Sequence, residues 1–260
     1  MGTSESAGAV TEPAQAVLEG ALSIEAALRG RSRAVHALFI RRDLRDDRVL
    51  RLAGLAADAG ARVERVDAER IHHLASGKTH GGVVALVGER RFAALDELAA
   101  YETMPFLVML DGIEDPFNFG QALRAFWAAG AHGVVVRPRN WMSASSIVAR
   151  ASAGASELMP VAIAETAQAA ADALRARGLQ IAVTDRRRAV SIYESELAVP
   201  LFIIIGGEKR GITRSFADKA DVRLRIPYGR EFSASLGTTA AAAVLAFEVM
   251  RQRAIKQKRG

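Results

Sequence analysis

Five apolar residues in a row, Leu201 to Ile205, stop at a pair of glycines, Gly206 and Gly207. A run that is apolar at every position and rich in β-branched side chains cannot be a strand with one wet face. It reads as a strand buried on both sides, in the middle of a parallel sheet covered by helices. Gly206, Gly207 and Gly211 then bracket Glu208, Lys209 and Arg210, a turn that bares backbone amides and lets a ligand approach the main chain closely. A second short strand, Val222 to Ile226, stops at Pro227, and the run from Ser235 leads into an alanine-rich helix. Two strand-to-helix junctions so close together frame a pocket.

The rest of the chain alternates in the same manner. Residues 1–15 are small and polar, with neither a basic nor an apolar segment of the signal-peptide kind, and read as a disordered leader. A helix from Glu19, a strand Val35 to Ile40, a helix Leu50 to Ala59, a strand Arg62 to Val66, a helix Ala68 to Ser76 and a buried strand Gly82 to Val87 make a first α/β domain over 16–90. An amphipathic segment, Phe92 to Tyr101, falls in a linker, 91–105. The strand Phe106 to Leu110 opens a second domain, 106–260. There Pro116 and Gly120 shape a loop ahead of a helix Gln121 to Ala129. A strand Gly133 to Val136, helices Ser145 to Ser152 and Glu165 to Arg177, and a strand Leu179 to Val183 follow. The expected fold is α/β throughout, with a parallel sheet in the second domain.

Composition narrows the partners. The 260 residues carry a formal charge of +6, mostly as arginine, and contain no cysteine. The charge points to a polyanion, since guanidinium forks bind phosphate, although a genome rich in G and C would supply the same arginines. The absence of cysteine removes disulfides and thiolate metal sites and fits a reducing compartment, so the cytoplasm is expected. No apolar run is long enough to cross a bilayer. His72 and His73 have no carboxylate or thiol at ligand spacing, so no metal site is expected. A dinucleotide-binding enzyme would need G-x-G-x-x-G after a first strand, and none stands there.

Three motifs occur in order: N-x-G-x-x-x-R at Asn118, Gly120 and Arg124, G-G-E-x-x-G at Gly206 to Gly211, and I-P-x-G…S-L followed by A-A-A at Ile226 to Ala243. Together they resemble the SpoU (TrmH) family of S-adenosylmethionine-dependent RNA methyltransferases, within the SPOUT superfamily. Upstream, G-x-x-S-I-E-A-A-L at Gly20 to Leu28 and T-H-G-G-V-V-A at Thr79 to Ala85 resemble that family's N-terminal RNA-binding domain. The resemblance implies a ribosomal-protein-like first domain, a C-terminal trefoil knot, a homodimer, and methyl transfer to a ribose 2′-hydroxyl, most simply of ribosomal RNA. Transfer RNA, a base acceptor, or an RNA-binding protein that has lost catalysis are the alternatives.

The resemblance also assigns residues. Asn118, Arg124 and Glu208 fall to catalysis, and Ile205, Gly206, Gly207, Gly211, Ile226, Tyr228, Ser235 and Leu236 to S-adenosylmethionine. Arg29, Arg31, Arg33, Arg41 and His80 fall to RNA, His80 having a purely structural alternative. A guanidinium holds its proton at neutral pH, so Arg124 is expected to polarise the acceptor oxygen rather than to deprotonate it. One departure stands out: Gly237 occupies the place of the asparagine in the family's S-L-N. Some other group must then position the acceptor.

Overall fold

The computed structural model describes residues 16–138, 145–186, 188–207 and 212–258. Its first lobe runs β1 (Ala16–Glu19), α1 (Ala21–Gly30), β2 (Val35–Arg41), α2 (Asp47–Asp58), β3 (Arg62–Val66), α3 (Ala68–Leu74) and β4 (Val83–Val87). Acidic caps start two of these helices: Asp46 accepts from the Val49 amide at 3.0 Å and Asp67 from the Arg70 amide at 2.8 Å, each meeting an amide that the helix itself leaves unpaired. The strands form one mixed sheet in the order β1-β4-β2-β3, in which β2 and β3 are parallel and β4 runs antiparallel to β1 and β2.

The second lobe continues with α4 (Leu95–Ala100), β5 (Phe106–Asp111), α5 (Pro116–Ala128), β6 (Gly133–Val136), α6 (Ser145–Ala151), α7 (Ala155–Leu158), β7 (Val161–Ile163) and α8 (Ala167–Ala176). It ends with β8 (Gln180–Thr184), β9 (Val190–Ser191), β10 (Leu201–Gly206), α9 (Arg214–Ala217), β11 (Val222–Arg225) and α10 (Thr238–Gln257). The sheet order is β7-β6-β5-β10-β8-β11-β9, with every pairing parallel. As its composition requires, β10 is central, and its side chains part to two covered faces. Leu201, Ile203 and Ile205 pack with Phe126 of α5 and Leu245 and Val249 of α10. Phe202 and Ile204 pack with Leu98 of α4, Leu174 of α8 and Phe216 of α9.

Two expectations change. Residues 91–105 are not a bare linker: Ala93 bridges to Ala162 beside β7, and α4 seals Leu98, 1% exposed, against the large sheet. Asn118 and Gly120 are not in a loop, because Asp115 and Pro116 already start α5. The Asp115 carboxylate accepts from the Phe117 amide at 2.7 Å and the Asn118 amide at 3.3 Å, and proline suits the first helical position, where no amide partner is lost. Gly120 is needed for packing instead, since a Cβ there would lie 2.7 Å from the Ala151 Cβ and 2.8 Å from the Val148 carbonyl oxygen of α6.

The lobes meet through a buried carboxylate. Glu157 of α7, with a side chain 1% exposed, receives Arg33 through Nε at 3.1 Å and Nη2 at 3.0 Å, Arg90 through Nη1 at 3.1 Å, and the Ser32 hydroxyl. Arg90 also donates to the carbonyls of Ser156 and Met159. A second link joins Arg150 of α6 to Glu19 of β1, whose other oxygen accepts from the Ser76 and Gly77 amides. Ala149 inserts into the core of the first lobe. Removing Glu157 would strand two buried guanidiniums, a change that costs about 3–5 kcal/mol when one member of a buried ionic cluster is lost. Glu157→Ala is expected to lose stability on that scale in urea unfolding, with Glu157→Gln losing less because it keeps acceptor oxygen for the arginines.

Candidate active site

In a parallel sheet all strands present their carboxyl ends on one edge, and the loops leaving that edge form the site. Here β8, β10 and β11 end together around a cavity of about 830 Å³. It is lined by Ile205, Gly206 and Gly207 from the end of β10, by Ile226 and Tyr228 after β11, and by Ser235 and Leu236 ahead of α10. These are seven of the residues expected to hold the cofactor. Gly211, the remaining one, and Glu208 lie outside the described residues.

Backbone crowding sets the shape of the floor. The Gly207 amide donates to the Asp111 carbonyl at 2.7 Å, and a Cβ on Gly207 would overlap the carbonyl oxygen of Gly112. No larger residue fits between the ends of β5 and β10. Beside it, the Asp111 carboxylate, 7% exposed as a residue, is bound by both arms of Arg137 at 2.8 and 2.9 Å. Burial pushes the Asp111 carboxyl above its usual range, and Arg137 opposes that shift. The cavity's roof is tied down in turn: the Leu236 amide donates to the Tyr228 hydroxyl at 3.0 Å, and Arg186 donates to the Ser233 carbonyl at 2.8 Å.

The loop after β8 was not expected in the site, yet Asp185, Arg186 and Arg188 line the cavity, as do Arg214, Arg223 and Arg225. The signal was present in the sequence, since the charged run D-R-R-R directly follows an apolar strand whose carboxyl end faces the site. Arg188 holds a left-handed backbone, φ 51°, a conformation unfavourable for a side-chain-bearing residue.

Arg124 and Asn118 are brought to α5 and are exposed, but they are not among the residues lining the cavity. They also differ by six positions, which places them on different sides of a helix. Arg124 shares its side with Phe117 and Trp127, 53% and 38% exposed. Within one copy of the chain, the acceptor-polarising candidate and the cavity are therefore separate.

The arginines and histidine expected at RNA divide three ways. Arg29 and Arg31 are exposed at the end of α1, Arg29 beside Glu25 at 2.9 Å. Arg41 spends both arms of its fork on Asp43, at 2.5 and 2.9 Å. Arg33 is a correction: its side chain is 3% exposed and engaged by Glu157, so it joins the lobes instead of facing solvent. His80 is 5% exposed, its Nδ1 accepts from the Gly82 amide at 3.0 Å, and its ring stands edge-on to His72. Burial lowers its pKa and keeps it neutral, which fits the structural alternative. Gly237 directly precedes α10, and nothing lies within 4 Å of a Cβ built there.

Comparison with known proteins follows the two lobes. Residues 105–247 match the family model described as SpoU rRNA Methylase family, and residues 17–93 match RNA 2′-O ribose methyltransferase substrate binding. The chain is 33% identical, over 93% of its length and 98% of the relative, to the 23S rRNA (guanosine-2′-O-)-methyltransferase RlmB of a Burkholderia species. It is 32% identical, over 92% of its length and 96% of the relative, to RlmB of Pseudomonas syringae. Among solved structures, the rRNA methyltransferase from Sinorhizobium meliloti superposes with a TM-score of 0.76 over 91% of this chain and 87% of that one, at 24% identity, which compares the folds.

The two glycines separate in a test. Gly207→Ala must displace backbone, so it is expected to lower stability and abolish ligand binding in the cavity. Gly237→Asn meets open space and offers a good helix cap, so unfolding should shift by no more than a few tenths of a kcal/mol. Urea melts of both variants make the check.

Proposed function

The chain belongs to the SpoU rRNA methylase family, and from that premise we propose that it moves a methyl group from S-adenosylmethionine to a ribose 2′-hydroxyl of ribosomal RNA. The single observation that carries the reading is the cavity at the carboxyl ends of β8, β10 and β11, lined by residues of both C-terminal family motifs. It fits the donor chemically. Gly206 and Gly207 carry no side chain and let an adenine edge approach the main chain, Ile205, Ile226 and Leu236 can cover its faces, and Asp185 and Asp218, the latter paired with Arg223 at 2.7 Å, are the acidic residues of the lining. When bound, S-adenosylmethionine supplies an electrophilic methyl on that sulfonium.

What the chain's own residues do is align and polarise. The 226–237 segment, pinned by the Leu236 amide on Tyr228 and by Arg186 on the Ser233 carbonyl, holds the donor side in one geometry. Arg124 donates hydrogen bonds to the acceptor oxygen and steadies the negative charge that develops there. Asn118 sits in the first turn of α5, its amide held by the Asp115 carboxylate at 3.3 Å. The homodimer implied by the family finds support in the apolar residues left open on two helices packed together, Phe117 and Trp127 on α5 and Phe247 and Met250 on α10. Because Arg124 does not line the cavity of its own copy, a site completed across that contact joins polariser to donor.

The substrate-binding match to the first lobe supports RNA as partner. The exposed Arg29 and Arg31 remain candidates for its phosphates. The RlmB relatives are 23S rRNA (guanosine-2′-O-)-methyltransferases, which makes a 23S guanosine the first candidate acceptor. None of the described helices is long and apolar enough to cross a membrane, and we place the enzyme with its RNA in the cytoplasm. The trefoil knot is likewise part of the proposal. It draws support from β10, which enters the sheet between β5 and β8 late in the chain.

Transfer of labelled methyl from S-adenosylmethionine to ribosomal RNA, followed by alkaline hydrolysis, is the test. Label retained in alkali-resistant dinucleotides supports a 2′-O product, and label released with mononucleotides refutes it. Arg124→Ala is expected to lose 10²-fold or more in rate, roughly the scale of a lost preorganised donor, with donor affinity by calorimetry unchanged. Mixing Arg124→Ala with a cavity variant such as Ile226→Asp should restore activity if the site is shared between copies, and should restore none if it is not.

A further inference from the structure

The segment between β11 and α10 carries an aromatic ring that the cavity does not use. Phe232 is 56% exposed, and its centroid lies 6.0 Å from that of Tyr228, with the planes at 57°. Its neighbours Gly229, Arg230, Glu231, Ser233 and Ala234 are all exposed, so no core explains an apolar ring at this position. Nor is the segment loose. Tyr228 is fixed by the Leu236 amide at 3.0 Å, and Arg186 reaches the carbonyl of Ser233 at 2.8 Å and that of Phe232 at 3.5 Å. The ring is therefore displayed on an anchored frame, beside a residue that lines the cavity, with Arg186 and Arg188 on the same rim.

We propose that Phe232 is a stacking platform for an unpaired RNA base next to the acceptor ribose, an inference that rests on the RNA-methyltransferase reading above. A concave site can take a ribose only from a strand whose bases have been splayed apart, and a splayed base needs a face to replace its lost stacking partners. An exposed aromatic ring offers that face to any base, and nearby guanidiniums hold the adjoining phosphates. Glu231 is the one acidic residue of 226–237, against Arg230 in the segment and Arg186 and Arg188 beside it. A second copy of the chain is the poorer occupant, because the exposed Phe232–Tyr228 pair is flanked by polar and small residues, whereas the exposed apolar residues of α5 and α10 belong to other elements. This stacking would also supply some of the acceptor positioning that Gly237 cannot.

The full chain can be titrated into a single-stranded RNA oligonucleotide containing 2-aminopurine, whose fluorescence is quenched on stacking. Wild type and Phe232→Tyr should quench it. Phe232→Ala should abolish the quench and weaken binding roughly 5- to 150-fold, the range for losing one base–aromatic stack. Calorimetric affinity for S-adenosylmethionine and the elution volume on size exclusion should stay as in wild type. Equal quenching by Phe232→Ala, no quenching by wild type, or a shift of Phe232→Ala to a smaller species would overturn the proposal, the last by assigning the ring to a subunit contact. Failure of wild type to methylate ribosomal RNA would refute the function and leave the quenching result standing by itself, so the two readings fail separately.

Discussion

Glu157 holds its carboxylate where almost no water reaches it, and two guanidiniums and a hydroxyl from the other lobe take the place of that water. A buried charge is tolerated only when its partners are placed well enough to replace hydration. The cluster therefore dictates where Ser32, Arg33 and Arg90 must sit, and with them the end of α1 and the segment leading out of β4. The same short helix, α7, packs against α5, which carries Asn118 and Arg124. The lobe assigned to RNA and the helix assigned to the acceptor are thus referenced to one carboxylate. A surface ion pair could not do this, being worth little against the entropy of two long side chains.

The donor side depends on a different constraint, the close approach of main chain to main chain. Gly207 bonds back to Asp111 and lies against Gly112, so the ends of β5 and β10 come nearer than side chains would permit. Gly120 plays the matching part between α5 and α6. Two motif glycines thus serve packing, and the cavity follows from what that packing leaves open. Around its mouth the chain concentrates arginine, which suits a phosphate-bearing substrate better than it suits the donor.

Much of this was legible in the sequence because the signals are local. The apolar run Leu201–Ile205 ended by glycines identified the central strand, and residues from both C-terminal motifs came together at its end as expected. Short elements were harder: β1 has four residues and β7 three, too few for a periodic pattern. The Asp115-Pro116 pair is a helix-start signal, yet the glycine four positions on read as a loop, because the packing against Ala151 that requires it is tertiary. Arg33 shows the limit most clearly. Nothing near it in sequence marks it as buried, and its partner is 124 residues away. Charge counts cannot separate an arginine that meets phosphate from one that meets a buried carboxylate. The separation of Arg124 from the cavity was equally invisible, since spacing within a motif says nothing about which side of a helix turns toward the cavity.

The central claim is that the two lobes together deliver one ribose of ribosomal RNA to the donor cavity. Ribose methylation can be mapped nucleotide by nucleotide in ribosomal RNA from cells that carry the gene, lack it, or carry it with Arg124→Ala. The account predicts that one ribose loses its methyl group when the gene is absent, regains it with the wild-type gene and stays unmethylated with the variant. Identical maps in all three strains would contradict it.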